Sequence, residues 1–148
     1  MPTRCRLCGE CKQLTYEHVP PKSAYNREPL KSYSLSDYWA LSSGKPATYV
    51  NEQRGAGYYA TCASCNSNSG TWYVGEFARW VEAGAEVVVR ELSTLRANAE
   101  RPSDDDIVAR MKLRGTYPGR FAKQVVAMLL AINAPSLGDA HPGLLIRC

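Results

Sequence analysis

The sequence predicts an α+β protein: a cysteine-stapled half built on short strands, followed by a helical half. Three observations carry this. Two Cys-x-x-Cys pairs, Cys5/Cys8 and Cys62/Cys65, bracket the first half. Short strand-like runs at residues 16–19 and 57–61 each lie close to one pair. From Asn66 onward, apolar side chains return at helical spacing. A chain of 148 residues has room for one ordinary domain with a real core, and 45% hydrophobic with 22% charged residues is a globular balance.

The elements follow in order. Residues 1–22 form a knuckle and loop, in which the strand at 16–19 is stopped by Pro20-Pro21. Residues 23–52, rich in Ser, Tyr, Pro and Gly, read as a long insert loop with one helical turn around 35–40. The strand at 57–61 runs into the second cysteine pair. On the helix after Asn66, Tyr73, Phe77, Trp80 and Val81 make a stripe assigned to the core, while Trp72 and Tyr73 after Gly70 either stack on bases or, as the favoured reading, pack in the core at the helix start. Gly84 breaks this helix, and 85–95 continues as a second one. Ser103 with Asp104, Asp105 and Asp106 caps a helix whose Arg110, Lys112 and Arg114 suit the dipole at its other end before Gly115. Residues 119–133, between Pro118 and Pro135, are the most apolar helix and close the core. The chain divides into a zinc core over 1–82, with its insert at about 23–52, and a helical C-terminal extension over 83–148 packed on that core.

The longest apolar run, 125–132, is too short to cross a bilayer, and residues 1–9 have no apolar segment behind Arg4 and Arg6 that would make a secretory signal. A cytoplasmic location follows as the expectation. In that reducing compartment six cysteines do not read as a disulfide framework. Two Cys-x-x-Cys turns instead suit one tetrahedral zinc held by four thiolates, against the plainer reading of four buried free thiols. Cys8-x-x-Cys11 is also a pair, so Cys11 can stand in for Cys5. Gly9, directly after Cys8, favours Cys5 and Cys8, since a tight knuckle needs a positive φ there. Cys148 reads as a bystander.

The formal charge is +4, and residues 1–31 hold six Lys/Arg against three Asp/Glu. Between Ile107 and Gly138 there is no acid, while Arg110, Lys112, Arg114, Arg120 and Lys123 fall within that stretch. They make a patch able to face phosphates, or else a solvated helix face. Only two histidines exist. His18 follows Glu17 at the end of a strand, where a hard oxygen ligand for a divalent cation and a base of near-neutral pKa can border one groove. After the second knuckle, Asn66 puts an amide oxygen on the first helical turn, either as an N-cap or to complete a cation site with Glu17. His141 sits in a turn-like stretch, Asp139 to Gly143, and reads as a cap or surface residue.

The segments CRLCG, TYEHVPPKS and GYYATCASCNSNSGTWY resemble the zinc-containing HNH endonucleases of the treble-clef, or His-Me finger, type, with YPGRFAKQVVAMLLAIN and HPGL similar to the tail of a bacterial and phage branch. The resemblance covers roughly residues 5–80 well. It implies a zinc-stapled ββα-metal core, a hairpin bearing Glu17 and His18 followed by a helix bearing Asn66. It implies His18 as general base, Glu17 and Asn66 as ligands of a catalytic Mg²⁺ or Mn²⁺, and Cys5, Cys8, Cys62 and Cys65 as ligands of a structural zinc. DNA is the implied substrate, with RNA open, and hydrolysis of its phosphodiester bonds the implied reaction.

Many members of that family carry an asparagine shortly before the second knuckle that holds the catalytic histidine. Here Gly55, Gly57 and tyrosines fill the neighbourhood, leaving Asn51 or Gln53 as substitutes. Asn68 is a replacement ligand for Asn66. Lys22, Arg27, Lys31 and Arg54 either contact phosphates near the site, alongside Arg120 and Lys123, or are solvated surface. The alternative function is a catalytically weak or inactive treble-clef zinc module that binds nucleic acid or a partner protein. A third reading makes the apolar helix at 121–132 a docking face for a partner protein or a second copy.

Overall fold

In the computed structural model residues 3–97 and 113–145 are described, residues 11 and 94–97 by backbone alone. Short β1 (Thr3–Arg4) and β2 (Cys11–Lys12) pair antiparallel around the first cysteine knuckle. The reversal uses Gly9 at φ 76°, as the sequence predicts; its N–H donates to the Cys5 carbonyl at 2.9 Å.

The second pair is β3 (Leu14–His18) with β6 (Gly57–Cys62). Thr15 opposes Thr61 but Tyr16 opposes Tyr59, so Ala60 is an extra residue in a bulge. A bulge twists its strands and re-aims the side chains beyond it, here Glu17 and His18. The intervening insert is more than a loop. It holds β4 (Leu30–Ser32), α1 (Leu35–Ser42) and β5 (Val50–Glu52), with β4 and β5 paired antiparallel. Ser34 caps α1 by accepting the Asp37 N–H, while Asp37 accepts the Thr48 N–H at 3.1 Å and hydroxyl at 3.0 Å. These local polar closures build the unit without an apolar period.

Helix α2 (Ala63–Ser69) starts at the second knuckle, passes into a π-helical turn (Gly70–Val74) and runs on as α3 (Gly75–Ala97). Gly84 does not break α3: a glycine costs a helix only about 1 kcal/mol, which tertiary contacts along the same helix offset. The helix crosses residue 82, where the sequence divides core from extension. Helix α4 (Pro118–Ile132) has proline in its first turn, where no N–H is needed. It is followed by α5 (Ser136–Ala140) and a 3₁₀ turn, Pro142–Leu144. The capped helix expected before Gly115 lies outside the described residues, as does Cys148.

The core joins the two halves. Ala127 and Leu130 of α4 pack on Cys5, Leu7, Cys62 and Cys65, so the most apolar helix does close the core, directly over the cysteines. Farther along, Phe121 stacks on Phe77 at 5.6 Å and Trp80 at 4.6 Å; each such pair contributes about 0.5–1.5 kcal/mol beyond its buried area. Buried Glu76 accepts the Trp80 indole N–H at 3.1 Å and the Tyr117 N–H at 3.0 Å. Arg79 donates to the carbonyls of Arg114 and Gly115, fixing the entry to α4. At the knuckle end Arg4 pairs with Asp139 at 2.7 Å and Arg6 donates to the Ala131 carbonyl. Two of the six cations in residues 1–31 thus hold the C-terminal helices. Among the described residues no helix is long and apolar enough to cross a membrane.

Candidate metal centre and adjoining polar cavity

Two turns bring four sulfurs together. Cys5 and Cys8 come from the β1–β2 knuckle, Cys62 from the N-cap of α2 and Cys65 from its first turn. Their Sγ atoms all lie within 4.8 Å of one another. A tetrahedral zinc with bonds of about 2.3 Å separates its sulfurs by roughly 3.8 Å, so small side-chain adjustments complete such a site. The Cys62 N–H donates to Cys5 Sγ at 3.3 Å, the support a thiolate needs. Burial pushes the Cys62 thiol up, but the Ser64 hydroxyl, the Cys65 N–H and the Cys5 and Cys8 thiols bring it down to about 7. Burial raises Cys8 to about 11, against the backbone at Glu10 and with Cys5 and Cys62 adding to the rise. Four thiolates so close repel one another unless a cation neutralises them, and a divalent metal such as zinc fits. Cys5, Cys8 and Cys62 are free thiols, whereas Cys65 is disulfide-bonded. Metal binding requires that sulfur reduced, so disulfide and four-thiolate site exclude each other.

A cavity of about 170 Å³ is lined by Glu17, His18 and Lys22 from one side and by Asn66, Gly70 and Val74 from the helix. The bulge in the β3–β6 hairpin lets neighbouring residues Glu17 and His18 border the same space. Glu17 is buried, its Oε2 has no hydrogen-bond partner, and desolvation raises its pKa, with the Thr61 hydroxyl opposing. An unsatisfied carboxylate oxygen in a small polar cavity is a donor that a hard divalent cation takes up. Asn66 Nδ2 donates to Thr15 Oγ1 at 3.0 Å and to the Tyr16 carbonyl at 3.1 Å. A carbonyl only accepts, so the amide orientation is fixed and Oδ1 is left for another ligand.

His18 Nε2 lies 3.0 Å from the Arg54 carbonyl, which makes Nε2 the protonated nitrogen and leaves the Nδ1 lone pair as the basic site. The ring meets the edge of Tyr16 at 5.1 Å. Desolvation lowers its pKa below 6.5, Lys22 adds to this, and the Arg54 carbonyl opposes. The histidine is therefore positioned by a backbone carbonyl. Asn51 is exposed on β5, and Gln53 lines a second cavity with Lys22 and Arg54 on the other side of His18.

The residue that sequence reasoning missed is Asn26. Its carboxamide donates to the carbonyls of Pro20 and Ala56 and accepts the Ala56 N–H at 2.7 Å. Tyr25 at φ 63° turns the chain just before it. Asn26 clamps the loop that presents Arg54; it is buried and hydrogen-bonded in the fold, and nothing local in the sequence signals this.

Of the basic residues proposed for phosphate, Lys22 lines both cavities, Arg54 lines one, and Arg27 is tied to the Lys22 carbonyl at 3.2 Å. Lys31 lies over the Tyr49 ring in the insert. Arg120 and Lys123 line a different groove, at the start of α4. Asn68 is exposed and does not line the cavity, and His141 is exposed between α5 and the 3₁₀ turn. Comparison of the chain with protein families, with curated proteins and with solved structures returns no match.

Proposed function

We propose that the chain is an HNH-type endonuclease that hydrolyses phosphodiester bonds in DNA. The observation that carries this reading is the single cavity bordered by Glu17, His18 and Asn66, on a hairpin and a helix that meet at the cysteine cluster. The order of parts, knuckle ribbon, hairpin, then a helix leaving the second knuckle, supports a zinc-stapled treble-clef core with a ββα-metal site.

In this reading Glu17 and Asn66 Oδ1 hold Mg²⁺ or Mn²⁺. When bound, that ion supplies positive charge against the scissile phosphate and the departing oxygen. The chain's own groups do the rest. His18 Nδ1 takes the proton of the attacking water, because its other nitrogen donates to the Arg54 carbonyl and so keeps the ring in the basic tautomer. The lowered pKa keeps the ring neutral near pH 7. Lys22, reaching both cavities, and Arg54 contact phosphates and fix the strand's register, without reading bases.

One observation favours the alternative, a non-catalytic zinc module that binds nucleic acid or a partner protein. Asn66 already ties α2 to β3 through two hydrogen bonds, a role that needs no metal. Supercoiled-plasmid cleavage with Mg²⁺, Mn²⁺ or EDTA, run beside folded His18→Ala and Glu17→Gln variants, separates the two. Ion-dependent cleavage that both substitutions abolish supports the nuclease. Absence of cleavage by zinc-loaded protein that still binds DNA supports the module.

A further inference from the structure

The groove beside α4 has a composition that neither the core nor the His18 cavity accounts for. It encloses about 570 Å³ between the π-helical turn and the first turn of α4, lined by Trp72, Tyr73, Tyr117, Gly119, Arg120 and Lys123. The sequence favours core packing over base stacking for Trp72, yet it is 54% exposed, and Tyr117 is 58% exposed. Arg120 lies 4.6 Å from the Tyr117 ring centre and 5.7 Å from that of Trp72, and Lys123 lies 5.5 Å from that of Tyr73. Among the described residues neither cation is within salt-bridge distance of a carboxylate, and no acid lines the groove. The π-helical turn is itself a departure from regular helix of the kind that recurs at functional sites. Its Gly70 and Val74 line the His18 cavity while Trp72 and Tyr73 line the groove, so one turn forms a wall of both.

We propose that this groove binds a nucleotide unit of single-stranded nucleic acid, with a base stacked on Trp72 and the flanking phosphates on Arg120 and Lys123. Exposed aromatic side chains beside cations that no carboxylate among the described residues pairs match a ligand that alternates π-faces with negative charge. A duplex keeps its bases stacked on one another, so only an unpaired strand offers a face to Trp72. The proposal extends the nucleic-acid part of the reading above and does not require His18 to cleave.

The test is binding by the full-length, reduced, zinc-loaded chain in the absence of other divalent ions. The probes are a fluorescently labelled ten-nucleotide oligothymidylate, its abasic counterpart, a ten-base-pair duplex and thymidine monophosphate. The oligothymidylate is expected to bind most tightly and to quench tryptophan fluorescence. Trp72→Ala is expected to weaken it at least about fivefold and to bring it level with the abasic strand. Trp72→Phe keeps a ring face, so binding persists while the quench disappears. Arg120→Gln with Lys123→Gln removes two phosphate contacts and lowers the salt dependence by about 1.4 counterions on a single strand. Equal binding of abasic and base-bearing strands would reduce the groove to a phosphate patch and overturn the proposal. So would preference for the duplex, equal affinity for the monophosphate, or a quench that survives in Trp72→Phe. Cleavage assays on the same variants read the His18 site separately, so failure of either reading leaves the other standing.

Discussion

The Asn26 carboxamide brackets Ala56, accepting its N–H and donating to its carbonyl, both at 2.7 Å. Two residues earlier, the Arg54 carbonyl holds His18 Nε2. A side chain from the start of the insert therefore fixes, through one loop, the tautomer of the proposed base. Asn26→Ala leaves the half-buried Ala56 N–H without its acceptor, while the Ala56 carbonyl keeps the Val19 N–H, and is expected to cost about 1 kcal/mol or more of stability. Its specific signature is in the ring: ¹⁵N shifts of His18 should show a protonated Nε2 in the parent protein and a mixture of tautomers in the variant. A destabilised variant with an unchanged tautomer would make Asn26 a purely structural residue.

The parts legible in sequence are those that rest on local chemistry. Cys62 and Cys65 lie three apart at a helix start, Gly9 follows Cys8, and the apolar run before Asn133 is bounded by proline; each signal is complete within a few residues. What escaped depends on pairs distant in the chain. Asn26 meets Ala56 across 30 positions, and Arg54 meets His18 across 36. The insert escaped for another reason. Asp37 reaching Thr48 organises β4, α1 and β5 by polar closure, and hydrophobic period carries no trace of that. For Trp72 the sequence ranks core packing above base stacking because it assumes a regular helix start, and the π-helical turn alters the register at that residue.

Gly57 tests the hairpin. It pairs with His18, and a Cβ there would meet the Glu17 carbonyl oxygen at 2.3 Å and the Tyr16 ring at 2.7 Å. The obstacle includes backbone, which cannot swing aside as a side-chain tip can. Gly57→Ala is expected to lose about 1–3 kcal/mol in urea unfolding, the range of overpacking substitutions. Gly119→Ala in α4, where nothing lies within 4 Å, should instead be neutral or gain up to about 1 kcal/mol from helix propensity. Equal responses at the two positions would contradict the pairing register.

The pH dependence of His18 has a definite sign. Its folded pKa lies below 6.5, so the fold favours the neutral ring. That contribution to stability is fully present above 6.5 and is lost as pH falls through the lowered value. By NMR titration of zinc-loaded protein without other divalent ions, His18 should titrate below 6.5. Lys22→Met removes the second of the two causes and should move the midpoint back toward 6.5. A His18 midpoint at or above 6.5 in the parent protein would count against the desolvated, cation-facing placement of the ring.

The cysteine cluster makes the strongest claim on stability, because Ala127 and Leu130 of α4 pack directly on it. About one zinc per chain is expected by elemental analysis of protein purified under reducing conditions. Chelation should lower the melting temperature markedly, since the metal's binding free energy is also folding free energy. Cys62→Ser removes a thiol whose pKa its neighbours bring down to about 7 and should abolish both zinc and cooperative unfolding. Cys11→Ser distinguishes the alternative ligand: retention of zinc by that variant assigns the site to Cys5, Cys8, Cys62 and Cys65. Oxidation should expel the metal, because Cys65 cannot serve a disulfide and a zinc ion together. A reduced, zinc-free chain that still unfolds cooperatively at the same temperature would mean that packing of the thiols alone holds the two halves together.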